Sequence, residues 1–255
     1  MRRLLVPMPF PVPAQERYVT YDMMLNDIGF WYPILTRAEV LTPKTIIVNQ
    51  CSTEDFPVNR IKAAMDEIGY PCFFRGGNIS ASLKHHWKDT CFVEKPLIDS
   101  EIYSRCLRVV KHCIDGNQGA EPLLYSNWAI REFIKADTVG TYRDMPLKRE
   151  IRAFIKDNAV HCLHDYWQDQ APAEFSRNKL ITGNKRVSDV IADVYKEAEK
   201  VAKYFYGYWS CDFMLSQTGE WYAIDMALGE DSYHHPDCQK LAKGIVNKEL
   251  EIART

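Results

Sequence analysis

The sequence contains no long apolar run, no closely paired cysteines and no excess of charge of either sign. No apolar stretch approaches the roughly 20 residues that a membrane-spanning helix requires. The 32 basic and 34 acidic residues give a net charge of −2, which does not indicate binding to nucleic acid or to a membrane. None of the eight cysteines forms a Cys-x-x-Cys pair, so we expect reduced thiols rather than a disulfide scaffold.

The N-terminal residues and the overall composition indicate a folded cytoplasmic protein. The first residues, Met1 to Val6, resemble the start of a signal peptide, but prolines at positions 7, 9, 11 and 13 interrupt any apolar helix. The hydrophobic fraction is 46% and the charged fraction 26% of 255 residues, which is typical of a folded chain with room for one large domain or two small lobes.

Local patterns predict strands and helices in two successive groups. The predicted strands are 45–49, 71–75, 90–93, 128–134, 149–155, 160–167, 209–215 and 221–226. The predicted helices are about 57–68, 100–114 and 189–206, with apolar residues at helical spacing. Strand-rich sheets with flanking helices in this order predict an α+β protein of two lobes.

The last predicted hairpin carries two acidic residues in apolar surroundings. If its turn centres on Thr218 and Gly219, Asp212 and Asp225 face each other, with Cβ atoms roughly 5 Å apart. Two such carboxylates repel, so one takes up a proton unless a cation lies between them. Carboxylate oxygens suit Mg²⁺. Two alternatives are a bulge that offsets the register, and one aspartate in solvent with the other paired to an arginine.

Basic residues that could contact phosphate lie in two predicted regions. Arg75 ends a strand and begins a loop of small residues that contains Lys84 and Lys88. Small residues allow a backbone to approach phosphate, although the P-loop spacing is missing and the loop could be an ordinary turn with solvated lysines. On the strand 149–155, Arg152 is either an exposed partner of Glu150 or part of an anion site.

Taken in order along the chain, these segments resemble the ATP-grasp superfamily. They look like its phage and bacterial branch, marked by two arginines and a lysine, and like the cell-division-cycle ATP-grasp proteins that assist assembly of a translation initiation factor. The resemblance covers about 45–235. It implies an α+β fold with two lobes of mainly antiparallel sheet that grip ATP between them: an N-terminal lobe at 46–135 and a C-terminal lobe at 136–255, after a small layer at 1–45.

The resemblance also implies a role for each matching residue. The residues expected to contact phosphate and stabilise the reacting group are Arg75, Lys84 and Arg152, with Lys88 as a substitute for Lys84. The residues expected around the nucleotide are Glu132, Phe133, Ile134 and Lys135 in a hinge segment, then Arg149 and Glu150. The residues expected to bind Mg²⁺ are Asp212 and Asp225. The asparagine expected two positions after the second aspartate is Ala227 here, so either a single Mg²⁺ suffices or Glu230 or Asp231 supplies the missing oxygen.

The function implied is an ATP-dependent ligase that joins a carboxylate to an amine through an acyl phosphate. Its substrates could be small molecules, a peptide or a modified nucleobase, and a related enzyme would phosphorylate a hydroxyl. Ala227 favours an alternative, an ATP-binding assembly chaperone with a protein partner and no turnover. A nucleic-acid-modifying enzyme is a third alternative, whose affinity would fall steeply with salt.

Two histidine- and cysteine-containing segments invite comparison with a zinc site. They are His161 to His164, which includes Cys162, and His234 to Cys238. On a strand, His161 and His164 would point to opposite faces, and no second Cys/His pair has an evident ligand spacing. We therefore expect structural or substrate-facing histidines, and Cys–His nucleophilic catalysis stays an alternative without geometric support.

Overall fold

The computed structural model describes residues 5–6, 19–49, 56–78, 87–115, 127–142, 145–166, 187–234 and 238. The chain divides into two compact units. Unit 1 comprises Met1–Trp31, Lys44–Phe133 and Arg143–Met145; unit 2 comprises Tyr32–Pro43, Ile134–Tyr142 and Pro146–Thr255. Within the described ranges, no helix combines the length and the apolar character needed to cross a membrane.

Unit 1 begins with short strands and helices, and a buried aspartate lies between the two helices. They are β1 (Leu5–Val6), β2 (Val19–Thr20), α1 (Tyr21–Asn26) and the start of α2 (Ile28–Arg37). Between the helices, the Asp27 carboxylate accepts hydrogen bonds from Gly29 N and from Asn127 Nδ2, both at 2.6 Å. A carboxylate that accepts a backbone N–H at the first turn of a helix stabilises the helix start.

The main sheet of unit 1 is antiparallel and has the strand order β3-β6-β4-β5. Its strands are β3 (Thr45–Val48), β4 (Cys72–Gly76), β5 (Phe92–Val93) and β6 (Trp128–Glu132). The predicted strands at 45–49 and 71–75 are confirmed. The predicted strand at 128–134 is confirmed only to Glu132, after which the chain leaves the sheet.

Two helices of unit 1 agree with the spacing of apolar residues. They are α3 (Val58–Ile68) and α4 (Asp99–Asp115). Helix α3 buries Ile61 and Met65 completely and ends at Gly69, whose φ of 89° favours glycine. On the sheet, the Trp128 ring stacks on Phe74 with centroids 5.2 Å apart, so large aromatic side chains fill the core.

The predicted strand at 90–93 is wrong in its first half. Residues Trp87–Cys91 form a π-helix, and only Phe92–Val93 are extended. Two side chains from α4 stabilise this helical turn: Arg105 Nη2 donates to Lys88 O at 3.2 Å, and Arg108 donates to Asp89 O. Both arginines are distant in sequence from this turn. The β-branched and apolar residues at 90–93 therefore predict a strand and give no sign of the helical turn.

Unit 2 contains a second four-stranded antiparallel sheet and one long helix. A strand pair, β7 (Thr138–Tyr142) and β8 (Met145–Lys148), comes first. The sheet has the order β10-β9-β11-β12, formed by β9 (Glu150–Lys156), β10 (Ala159–Asp165), β11 (Tyr208–Leu215) and β12 (Trp221–Leu228). Helix α5 (Val187–Ala202) is confirmed, although it ends before the predicted 206.

The sheet of unit 2 carries a group of charged side chains on one face. Along β9, alternation places Glu150 and Arg152 on one face and the buried Ile151, Ala153 and Ile155 on the other. Helix α5 contacts β9, β10 and β12, and its buried side chains at Val190, Val194, Ala198 and Val201 add to the core. The face that carries Arg152 is called the polar face below.

Candidate functional site

Three charged residues lie side by side on the polar face of unit 2. Arg152 in β9 is the cross-strand partner of Asp212 in β11, and Asp212 is the partner of Asp225 in β12. Directly paired residues of an antiparallel sheet project their side chains to the same face. The predicted pairing of Asp212 with Asp225 is therefore confirmed, and it includes a third strand that supplies an arginine.

The facing aspartates depend on a bulge and not on the turn alone. Close to the turn, Phe213 faces Ala223, a register in which Asp212 would face Ile224. The register shifts by one residue between Asp212 and Phe213, so Asp212 faces Asp225 instead. The prediction identified the correct pair, but the turn position that it assumed was wrong. An extra residue in one strand of a pair produces this kind of shift.

Asp212 forms a two-pronged ion pair with Arg152. Arg152 Nε donates to Asp212 Oδ1 at 2.7 Å, and Nη2 donates to Oδ2 at 2.9 Å. The two side chains are 15% and 7% exposed. Burial lowers the pKa of Arg152, but the charge and hydrogen bonds of Asp212 outweigh it and raise the pKa, so the guanidinium stays charged. The arginine pairing foreseen in one sequence alternative is present at Asp212, but Asp225 is half-buried and faces Asp212 rather than lying in solvent.

Tyr166 completes the surroundings of Arg152, and the sequence analysis missed it. The guanidinium carbon lies 4.6 Å from the centroid of the Tyr166 ring, a cation–π distance. Burial raises the pKa of Tyr166, and the nearby Asp212 charge adds to the rise, so its hydroxyl stays neutral. Tyr166 lies two residues after His164, so strand alternation places both on the face that carries Arg152. This alternation was the sequence signal that could have identified Tyr166.

Arg149 and Glu150, both expected near the nucleotide, are buried; Arg149 directly precedes β9 and Glu150 is its first residue. Arg149 Nε donates to Asp137 Oδ2 at 2.8 Å, and Arg149 is only 6% exposed. Glu150 accepts a backbone hydrogen bond from Tyr166 N at 3.1 Å. Arg149 thus has an acidic partner within unit 2, and Glu150 connects β9 to the residue beneath Arg152. Their contact with a nucleotide stays a prediction.

Ala227 and Glu230 lie at the end of β12 and just beyond it. Ala227 faces Ser210 across the hairpin, and Ser210 Oγ hydrogen-bonds Ser232 Oγ at 2.6 Å. Glu230 is exposed in a 3₁₀ helix at Gly229–Asp231. Its proposed role as a ligand beside Asp225 stays a prediction.

In unit 1, Arg75 organises the start of the loop that was expected to contact phosphate. The arginine is 3% exposed, and it donates from Nε to Gly76 O at 3.0 Å and from Nη2 to Gly77 O at 3.3 Å. Gly77 is also held by Asn127 O, which accepts its N–H. Lys84 lies outside the described residues. Lys88 is exposed on the π-helix.

The expected hinge segment joins the last strand of unit 1 to unit 2. Glu132 N donates to Lys44 O at 2.8 Å, and Phe133 packs against Phe92 with centroids 5.0 Å apart. The boundary between the units falls between Phe133 and Ile134. The Lys135 carbonyl accepts from Gln217 N at 2.9 Å within unit 2. The segment is therefore held by backbone bonds at both ends, and adenine binding stays a prediction.

Comparison with known proteins finds similar structures but no similar sequences. No family model matches the sequence, and no curated protein matches it. Cdc123 from Schizosaccharomyces pombe superposes with a TM-score of 0.57 at 14% identity, over 91% of each chain. A biotin carboxylase from Campylobacter jejuni, solved as a complex with β-γ-ATP, gives 0.51 at 13% identity, over 86% of this chain and 43% of that one.

These likenesses show the fold. The chain has the ATP-grasp fold, with helices and mainly antiparallel sheets, as the order of segments in the sequence implied. At 13–14% identity the likeness extends to the fold alone. The chain spans nearly all of one neighbour and less than half of the other.

Proposed function

We propose that this chain, which has the ATP-grasp fold, binds ATP with Mg²⁺ and is an ATP-dependent carboxylate–amine ligase. The observation that carries the proposal is the adjacent placement of Arg152, Asp212 and Asp225 on the polar face of unit 2. An arginine beside two carboxylates on neighbouring strands combines groups suited to phosphate and to a divalent cation.

The charges of these three residues fit a bound cation. Arg152 neutralises one of the two carboxylates, so the group carries a net charge of about −1. Asp212 and Asp225 would hold Mg²⁺, which supplies charge stabilisation to phosphate oxygens during transfer. Glu230 is the proposed source of a further oxygen.

Arg152 would act as a positioned charge rather than as a proton donor. Its raised pKa keeps it protonated, and Asp212, Tyr166 and the Tyr233 carbonyl restrain its orientation. Groups fixed before the reaction stabilise developing charge without reorganising. We propose the same role for Arg75 and for a lysine of the loop, Lys84 or Lys88.

The remaining contacts of the proposal follow the order of the chain. We propose that adenine lies against the backbone of Glu132, Phe133, Ile134 and Lys135, with Arg149 and Glu150 nearby. The lobes would be 46–135 and 136–255, with 1–45 as a separate layer. The described cysteines form no disulfide, which supports the proposed reducing, cytoplasmic location.

The reaction requires no nucleophilic side chain. A substrate carboxylate oxygen would attack the γ-phosphorus of ATP, and the bond to the β-phosphate oxygen would break to release ADP. An amine nitrogen would then attack the acyl carbon, lose a proton and expel phosphate to form an amide. Positioning and charge account for catalysis of this kind. The two substrates would be small molecules, a peptide or a modified nucleobase.

A second candidate is an ATP-binding assembly chaperone that has a protein partner and no turnover. Two observations favour it. Ala227 occupies the position at which the resemblance expects a metal-binding asparagine. The chain also spans 91% of Cdc123, but only 43% of the biotin carboxylase. Its length therefore fits the cell-division-cycle proteins, which the resemblance describes as assembly factors, better than it fits this carboxylase.

The release of ADP and phosphate in the presence of candidate substrates separates the two candidates. The purified chain is incubated with ATP, Mg²⁺ and pools of carboxylic acids and amines. A ligase releases ADP and phosphate only when both an acid and an amine are present. Tight ATP binding with a co-purifying protein and no ADP release would support the chaperone.

Calorimetry tests the shared premise of both candidates. Asp225→Asn should weaken Mg·ATP binding about tenfold or more, because it removes one proposed ligand. Glu199→Gln, which removes an exposed carboxylate from α5, is the matched control. Unchanged affinity in Asp225→Asn would refute the metal assignment.

A further inference from the structure

Four potential metal ligands meet at one place in unit 2, apart from the three charged residues described above. They are Cys162, His164, His234 and Cys238, and their ligand atoms all lie within 4.8 Å of one another. Cys162 Sγ lies 3.2 Å from Nε2 of His164 and 3.2 Å from Nε2 of His234. Within the described ranges, no other group of three or more histidine, cysteine or acidic side chains is gathered in this way.

Strand alternation explains how the fold assembles this group. Cys162 and His164 are two positions apart on β10, so they project to the same face. His161 is the extra residue at a register shift between Val160 and Cys162. Sequence alternation alone predicts that His161 and His164 point to opposite faces, which counted against zinc; the residues that meet are Cys162 and His164.

The second pair of ligands follows the 3₁₀ helix beyond β12. His234 is 1% exposed, and Cys238 is half-buried. The sequence does not reveal the group, because β10 and β12 are opposite edge strands of the sheet. The two pairs meet only because the segment after the 3₁₀ helix contacts β9 through Tyr233 and β11 through His234. The sequence shows no second Cys/His pair with an evident ligand spacing, whereas the structure places His234 and Cys238 beside Cys162 and His164.

The surroundings of His234 fix the orientation of its ring. The imidazole stacks on Phe154, with centroids 3.9 Å apart and an interplanar angle of 11°. His234 Nδ1 lies 2.5 Å from Tyr208 Oη, so Nδ1–H can donate to Tyr208 while Nε2 points to Cys162. Metal-binding histidines commonly donate their second ring N–H in this way.

We propose that Cys162, His164, His234 and Cys238 form a structural zinc site. Zinc bonds of about 2.3 Å to sulfur and about 2.0 Å to nitrogen in a tetrahedron separate the ligand atoms by roughly 3.5 Å, close to the observed 3.2 Å contacts. Two thiolates and two imidazoles favour Zn²⁺ over Mg²⁺ or Ca²⁺. Four protein ligands leave no open position for substrate, so the role is structural.

The zinc site would hold the segment after β12 against the edge strand β10. This segment includes Tyr233, whose carbonyl accepts a hydrogen bond from Arg152 Nη1 at 3.4 Å. Zinc at His234 would therefore restrain one of the groups that orient Arg152. The inference does not depend on the ligase or the chaperone proposal, because it concerns different side chains.

Metal analysis of the full chain tests the site directly. The protein is reconstituted with Zn²⁺ under reducing conditions, freed of excess metal and analysed by mass spectrometry for zinc. We expect about one zinc per chain, as for other four-ligand sites. His164→Gln and Cys238→Ser should lose zinc, whereas the matched control His161→Gln should keep it. Zinc content that is equal in His164→Gln and His161→Gln would overturn the proposal.

Cobalt substitution tests the site in the unmodified chain, where misfolding of a variant cannot confuse the result. Co²⁺ added to the reduced, zinc-free protein should produce the intense visible absorption of tetrahedral cobalt with thiolate ligands, and Zn²⁺ should abolish it. No such absorption would overturn the proposal. A Cys162–Cys238 disulfide that persists under reducing conditions, with a mass lower by two hydrogens, would also overturn it.

Discussion

Asp212→Asn should destabilise the folded chain much more than Asp225→Asn does, although the two residues face each other. Asp212 is the side chain that balances Arg152, through bonds of 2.7 and 2.9 Å. Asparagine has nearly the same volume as aspartate but no charge, and its amide N–H₂ would face a guanidinium donor. The substitution therefore leaves the Arg152 charge buried without its main partner.

The geometry allows the size of the effect to be estimated. Opposite charges about 4 Å apart attract by about 4 kcal/mol at an effective dielectric constant of about 20. Asparagine keeps one acceptor, and Asp225 also acts on Arg152, so part of this energy is retained. We expect a loss of about 3 kcal/mol, the lower end of the range for breaking a buried ion pair. That loss corresponds to a fall in Tm of about 6–12 °C.

Scanning calorimetry of three variants tests this reasoning. The Asp225 carboxylate accepts a hydrogen bond from Met226 N at 3.0 Å, and asparagine keeps an acceptor oxygen for it, so Asp225→Asn should lose less than about 1 kcal/mol. Glu199→Gln, the surface control, should change by no more than about 0.5 kcal/mol. Equal losses in Asp212→Asn and Glu199→Gln, or a larger loss in Asp225→Asn, would refute the assignment of Asp212 as the partner of Arg152.

Three further predictions concern other parts of the chain. Lys84→Ala should weaken ATP binding about tenfold by calorimetry, and a loss confined to Lys88→Ala would show that Lys88 is the phosphate contact. Burial raises the pKa of Cys106 to about 12; the unfolding free energy should therefore fall above about pH 9 by roughly 1.4 kcal/mol per pH unit more than in Cys106→Ala, as urea titrations can measure. Gly229→Ala places a Cβ against the Tyr208 ring and should cost about 1–3 kcal/mol in the same titrations.

The elements that the sequence predicted well depend on neighbours in sequence. Helix α3 has apolar residues at helical spacing and a glycine with positive φ at its end, and both signals are local. The π-helix at Trp87–Cys91 was missed because the side chains that donate hydrogen bonds to its carbonyl groups, Arg105 and Arg108, come from α4. Tertiary contacts of this kind override local preference.

The candidate site shows the same division between local and distant information. Hairpin spacing identified Asp212 and Asp225, but only the third strand reveals that Arg152 pairs with Asp212. The register shift that brings the aspartates together occurs in β11 and β12, and β11 also pairs with β9 on its other side. Sequence spacing could therefore name the acidic residues, and it could not show which of them an arginine neutralises.

Because an arginine neutralises only Asp212, substitutions at Asp212 and at Asp225 should differ in their effect on stability. Asp212 stabilises the fold, because removing its carboxylate leaves the buried charge of Arg152 without its main partner. Asp225 contributes less to balancing that charge. If both bind Mg²⁺, substitutions at Asp225 should separate binding from stability, and substitutions at Asp212 should not. Loss of ATP binding in Asp212→Asn is therefore weak evidence for metal ligation, whereas the same loss in a stable Asp225→Asn is strong evidence for it.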